Sequence, residues 1–227
     1  MSAVAKLLLD EINTVLFDLD GTLLDTAPDL VGALTRVCAE QNHPAPDFKL
    51  ACHYVSTGAA GLIRLAFPEA NTERVENLRI RLVDLYAENV CALTKPYPGI
   101  EKILEQIESL GKTWGVVTNK PAALTEPLMK SIGLANRSAC IVSGDTLPQR
   151  KPDPAPIVHA LDLINCSPAA ALYMGDAPQD IAAGRAAGVK TIAVSWGYII
   201  PGHTPHEWEA DYTIDRPEQL LALRAEA

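Results

Sequence analysis

Residues 15–26, VLFDLDGTLLDT, put three aspartates directly behind an apolar run. Asp18 and Asp20 stand one residue apart at the exit of a predicted buried strand. A core strand gains nothing from carboxylates, and burying one without a partner is costly. Either the strand ends there in solvent, or the acids hold something positive. Other apolar runs end in equally polar exits. One ends in Thr118-Asn119-Lys120. Another leads into a loop, SGDTLPQRKPDP, which presents Lys151 at the start of a helical pattern. A third ends in Gly175-Asp176, with Asp180 four residues on. Clustered carboxylates need a cation at neutral pH, and carboxylate oxygens with water suit Mg²⁺. A metal held by acids can recruit a phosphate, whose remaining oxygens Lys151 and Thr118 can stabilise. A carboxylate facing that phosphoryl group can attack it and form an aspartyl phosphate. A second acid two residues on points the same way along an extended segment. It can protonate the leaving oxygen and later activate water.

These residues converge only if the strands that end in them lie side by side. Short apolar runs at Thr14–Phe17, Thr113–Val117, Ala139–Val142, Ala171–Met174 and Thr191–Val194 predict strands covered on both faces. Helical patterns are predicted between them at Gly99–Leu110, Pro121–Ile132, Asp153–Leu163 and Pro178–Ala187. Gly111, Gly133 and Gly188 follow three of these where a left-handed residue is wanted. A repeating βα pattern implies an α/β fold with a parallel sheet and right-handed crossovers. In such sheets the ligand site lies at the carboxyl ends of the strands.

The first crossover breaks the pattern. Residues 27–95 read as helices only, too long a block for a loop. They predict a small inserted helical domain, leaving 1–26 and 96–227 as the core. Thr26 is a predicted N-cap, with Pro28 in the first turn and Asp29 three residues on. TKPYPG, residues 94–99, reads as the return linker.

Composition narrows the classes. Of 227 residues, 48% are hydrophobic, enough for a real core, and the net charge of −9 argues against nucleic acid. No apolar stretch is long enough to span a membrane. The start, MSAVAKLLLDEIN, lacks the features of a secretory leader. Five scattered cysteines without a CxxC argue against disulfides or zinc and fit a reducing cytoplasm. The five histidines show no metal-ligand spacing on one helix face, and His203 and His206 are expected to be solvated. Asp25 is expected to close the turn into the insertion, and Asp145 to be a loop acid near the rim. Thr118 is also placed to cap the helix opening at Pro121.

The set DLDGT (Asp18–Thr22), Thr118, Lys151 in KPDP, and GDAPQD (Gly175–Asp180) resembles the haloacid dehalogenase-like phosphohydrolases. The motifs span nearly the whole chain in the family's order. The resemblance implies a Rossmann-like three-layer core with a helical-bundle cap inserted between the first two motifs. It implies Asp18 as nucleophile, Asp20 as general acid/base, and Thr118 and Lys151 as phosphate holders. Mg²⁺ would sit on the carboxylates of Asp18 and Asp176 and the backbone carbonyl of Asp20. Asp180 would orient the metal's waters and Lys151, with Gly21, Thr22, Asn119 and Gly175 in support.

The implied reaction is phosphomonoester hydrolysis on a small ester beneath a closing cap. Ser56, Thr57 and Gly58, at a helix start in the cap, could hold a carboxylate with help from Arg64. DTAPDL and VVTNKP resemble the phosphoglycolate phosphatase branch. VSTGA and the late loop WGYIIPGHTPHEWEAD resemble bacterial N-acetylmuramic acid 6-phosphate phosphatases of cell-wall recycling. Both substrates carry a carboxylate, so charge alone does not separate them; the muramic ester is the leading expectation. A receiver-like phosphoacceptor would be about half this length and lack an equivalent of Asp20. A non-catalytic binding protein on this fold is opposed by the intact motifs. A phosphomutase would use the same residues to pass the phosphoryl group to a sugar. Monomer and dimer both remain open.

Overall fold

The computed structural model describes residues 7–224; the first six residues of the chain, and with them part of the stretch read for a leader, lie outside. A short helix α1 (Leu8–Glu11) leads into β1 (Thr14–Phe17). Then come β2 (Leu24–Asp25), four helices, and β3 (Lys95–Pro96), which pairs antiparallel with β2. The four helices are α2 (Ala27–Glu40), α3 (Phe48–His53), α4 (Gly58–Ala66) and α5 (Thr72–Ala87). The rest alternates: α6 (Ile100–Ser109), β4 (Thr113–Val117), α7 (Ala122–Ser131), β5 (Ile141–Val142), α8 (Ala155–Leu163), β6 (Ala171–Gly175), α9 (Pro178–Ala187), β7 (Lys190–Val194) and β8 (Tyr212–Ile214).

Six strands form one parallel sheet in the order β5-β4-β1-β6-β7-β8. β1 is central and fully buried. Alternate residues face opposite sides, as the two-residue period of a strand requires. Val15, Phe17, Val116, Leu172 and Met174 pack with Leu8 of α1, Ile103 of α6 and Leu128 of α7. Leu16, Val117 and Tyr173 pack with Ile157 of α8 and Ala183 of α9. The result is the Rossmann-like three-layer α/β core. Gly111, Gly133 and Gly188 all take φ between +68° and +79°, as their places after helices require. Helix α1, the ribbon and β8 were not anticipated by sequence patterning; two to four residues are too few to show a period.

The helical block begins and ends at the β2–β3 ribbon. Leu34 and Val37 of α2, Leu62 of α4 and Leu82 of α5 close a core within it. Its first helix is not capped as expected. The Thr26 hydroxyl makes no cap bond and instead donates to Asp20. The Ala27 N–H donates to the Tyr198 hydroxyl at 2.7 Å, which itself donates to Asp25 at 2.8 Å. Asp29 fastens the return segment, accepting from Leu93 N, Thr94 N and the Thr94 hydroxyl at 2.7–3.0 Å. Asp29→Ala therefore strips three donors of their acceptor, two of them on buried Thr94. The expected loss in urea denaturation is about 1–3 kcal/mol.

Candidate active site

Asp18, Thr118 and Asp176 are placed by strand ends, Asp180 by the first turn of α9, and Lys151 by the loop between β5 and α8. The Asp18 N–H donates to Met174 O at 2.8 Å, so the β1–β6 ladder fixes the backbone of the first acid. Next, the chain turns sharply at Gly21, whose φ is +90°. A Cβ there would lie 2.2 Å from Asp176 Oδ2, so the position demands glycine for conformation and for space. Thr22 donates to Asp176 Oδ1 at 3.1 Å. Gly175 is equally confined: a Cβ would sit 2.2 Å from that of Asp180.

Lys151 is the hub. Its ammonium contacts Asp18 Oδ1 at 2.8 Å, Asp180 Oδ1 at 2.7 Å, the Tyr173 hydroxyl at 2.7 Å and Val117 O at 3.1 Å. The Asn119 amide clasps its backbone from both sides, with two bonds of 3.0 Å to Lys151 N and O. Burial opposes the charge, but Asp18 and Asp180 more than compensate and hold the ammonium above its ordinary pKa. Thr118 is buried at the end of β4, where its hydroxyl accepts from Lys120 N at 3.2 Å. The helix that follows is capped by Asp145, which accepts from Ala122 N at 2.8 Å.

Asp18, Asp176 and Asp180 offer oxygens that all lie within 4.8 Å of one another, and all three residues are buried. Burial pushes the Asp18 carboxyl up to about 8, against the pull of Lys151 and with the repulsion of Asp180 and Asp176 added. Asp176 rises to about 7, chiefly from burial and then from Asp180. Three buried acids against one lysine leave an excess of negative charge. Asp180 is already engaged by Lys151 and by Ala177 N. Asp18 meets Lys151 through Oδ1 alone, and Asp176 accepts only from the neutral donors Thr22, Ser56 and Tyr198 N, so these two carboxylates fit a hard cation.

The raised pKa values have a consequence for stability. The unfolded chain releases these protons near pH 4, whereas the fold keeps them up to about pH 7–8. Their contribution to the metal-free protein is therefore fully present below pH 4 and is lost as pH rises through 7–8. Added Mg²⁺ competes with those protons. Its stabilising effect is expected to grow between pH 6 and pH 8.5, read as the difference in Tm with and without chelator. A pH-independent difference contradicts the cluster's role.

Asp20 stands apart from the three. Its Oδ1 accepts from the Thr26 hydroxyl at 2.6 Å and from the Lys120 ammonium at 2.8 Å. Lys120 also lies 4.5 Å from the centre of the Tyr86 ring of α5, so it bridges the acid and the helical block. A cavity of 270 Å³ opens here. Asp20, Asn119 and Lys120 line it together with Thr57–Ala60, Arg79 and Arg150.

Ser56 is not in that cavity; its hydroxyl donates to Asp176 Oδ2 at 2.8 Å. Thr57 and Gly58 line it. Arg64 does not: it is exposed on α4, and the guanidiniums at the cavity are Arg79 and Arg150. Helical spacing could have found Arg79, which shares its face of α5 with Val83 and Tyr86. Tyr198 and Gly197, which contact Asp176 through a backbone N–H and through a close approach that leaves no room for a Cβ, gave no local signal. His203 is exposed, as expected, but also lines a second cavity.

The family model for haloacid dehalogenase-like hydrolases matches residues 15–194, a span holding every carboxylate of this site. The chain is 41% identical over 211 residues to the N-acetylmuramic acid 6-phosphate phosphatase of Pseudomonas aeruginosa, covering 92% of this chain and 93% of that protein. It is 36% identical over 207 residues to a phosphoglycolate phosphatase of Xylella fastidiosa, covering 91% and 90%. Among solved structures, a predicted phosphoglycolate phosphatase from Haemophilus somnus has a TM-score of 0.81 at 25% identity, covering 90% of this chain and 94% of that one.

Proposed function

The chain belongs to the haloacid dehalogenase-like hydrolases and is a phosphatase, and from that premise we propose that it hydrolyses N-acetylmuramic acid 6-phosphate through an aspartyl phosphate on Asp18. The observation that carries the substrate reading is the 270 Å³ cavity between Asp20 and the two arginines. It sits near the lower end of the range for small-molecule sites, about 300–1,000 Å³. Gly58, Ala59 and Ala60 line it with the smallest side chains, leaving space for a ring. Arg150, whose backbone carbonyl accepts from Asp153 N but whose guanidinium makes no hydrogen bond or ion pair among the described residues, offers an unengaged cation for a carboxylate. Arg79 is already paired with Glu76.

Asp18 attacks phosphorus as the ester P–O bond breaks, and Asp20 delivers a proton to the departing sugar oxygen. A water molecule, deprotonated by Asp20, then attacks the same phosphorus and returns Asp18 as a carboxylate. Lys151 and Thr118 stand at the strand ends where the phosphoryl oxygens must sit, and Lys151 also fixes the direction of Asp18. Mg²⁺, held by the carboxylates of Asp18 and Asp176 and the carbonyl of Asp20, would offset the negative charge of the phosphoryl group.

A second reading, 2-phosphoglycolate, is favoured by the relatives of that name at 35–37% identity. The two separate by size. A two-carbon acid fills less of this cavity than a sugar ester does, so it draws less transition-state binding from remote contacts. N-acetylmuramic acid 6-phosphate is expected to show the higher kcat/KM, by about tenfold or more. A phosphoglycolate advantage of that size in a side-by-side ester panel overturns the assignment and leaves the mechanism standing.

A further inference from the structure

The second cavity, of 390 Å³, differs in chemistry from the first. The turn Val55–Thr57 contributes to both, and Thr57 lines each of them. The walls of the second come from the segment after β7, with Tyr198, Ile199, Ile200 and Trp208, and from the start of α9 with Gln179. Among the described residues no lysine or arginine lines it, and His203 is its one basic side chain. Lys120, Arg79 and Arg150 all belong to the other cavity.

This second cavity reaches the reaction centre. Asp176 lines it, and Ser56 in its wall is hydrogen-bonded to Asp176 Oδ2. With no lysine or arginine side chain in its walls, the cavity offers a carboxylate or a second phosphate no guanidinium or ammonium partner. Two aromatic rings and two isoleucines favour an uncharged group with an apolar face, and Gln179, Thr57 and Ser56 supply neutral hydrogen-bonding groups. An acetamido sugar has that character: C–H bonds on a ring face, a methyl group, and one amide.

We propose that this cavity is the subsite for the acetamide-bearing side of the substrate's sugar, and that residues 199–208 are a specificity determinant. The inference rests on the reading of the substrate as an acylated sugar acid ester. In that arrangement the sugar lies across Thr57, its carboxylate arm toward Arg150 and its acetamide toward Trp208.

Competition tests the subsite independently of which ester is the natural one. The Mg²⁺-loaded enzyme hydrolyses p-nitrophenyl phosphate while N-acetylglucosamine 6-phosphate or glucose 6-phosphate competes. These competitors differ by the acetamide and carry no carboxylate. The N-acetyl ester is expected to inhibit about tenfold more tightly, the effect of one well-filled apolar contact. Trp208→Ala is expected to bring the two inhibition constants within about threefold. Ile200→Ser, on the same wall, gives the same reading should Trp208→Ala fail to fold. Equal inhibition of the parent enzyme by the two competitors, or a preference unchanged in the folded variants, overturns the inference. A preference lost in the variants while N-acetylmuramic acid 6-phosphate is not a substrate upholds the subsite and removes the substrate assignment.

Discussion

Asp18→Asn is expected to lower turnover by at least about 10³-fold while leaving the fold intact. The swap keeps shape and removes the attacking charge. It is also gentle on the structure. An Asn oxygen can still accept from Lys151, which keeps Asp180, Tyr173 and Val117 as partners. A neutral side chain escapes the cost of burying a charge, and then the repulsion of Asp180 and Asp176, which together push the Asp18 carboxyl up to about 8. The metal-free variant is thus expected to melt no lower than the parent at pH 8.5. Circular dichroism and calorimetry report the fold, and steady-state assays report the loss. Turnover near that of the parent, in a folded variant, removes Asp18 from the role of nucleophile.

Lys151→Met carries the largest expected structural cost. The side chain is almost wholly enclosed, and its ammonium faces two buried carboxylates 2.8 and 2.7 Å away. Taking out one partner of a buried pair typically destabilises by about 3–5 kcal/mol, because the remaining charges lose their counter-ion. Here two acids are left facing each other, and the Tyr173 hydroxyl and Val117 carbonyl lose a donor. Lys151→Met with Asp180→Asn removes one of the stranded acids and is expected to recover part of the stability. Activity is expected to stay lost in both, since neither restores a cation beside the phosphoryl group. A loss below about 1 kcal/mol in urea denaturation of the single variant, the range of an exposed ion pair, contradicts the hub assignment.

Asp18, Asp20 and Asp176 were legible in the sequence because each stands just after an apolar run, while Lys151 and Asp180 were legible from the polar segments that lead from such runs into a helix. Strand ends in a parallel sheet share one rim, so position along the chain becomes position in space. Glycine was informative for the same reason: at Gly21 and Gly175 a Cβ collides with the very acids of the neighbouring motif. What could not be read came from far along the chain. Tyr198 lies 171 residues from Ala27, yet its hydroxyl accepts from that N–H in place of the expected Thr26 cap. Asp29 looked like a partner of Thr26 within one helical turn but fastens residues 93–94 instead. Arg64 suited a carboxylate by type and neighbourhood, but α4 leaves it exposed while α5 and the loop before Lys151 bring Arg79 and Arg150 to the cavity. Lys120 was visible as a strand-end residue, but its bridge from Asp20 to Tyr86 depends on where the helical block docks.

The central claim is that the phosphoryl group passes through Asp18, and trapping that intermediate tests it most directly. Asp20→Asn is the variant of choice, because activation of water is lost while Asp18 keeps its charge. An aryl phosphate, which leaves without proton assistance, loads the enzyme with Mg²⁺ present. Borohydride then converts an aspartyl phosphate to homoserine, and mass spectrometry of the peptide spanning residues 14–26 locates the change. Homoserine at position 18, dependent on both substrate and Mg²⁺, is the predicted result. Unmodified Asp18 alongside continued release of phosphate would contradict the account.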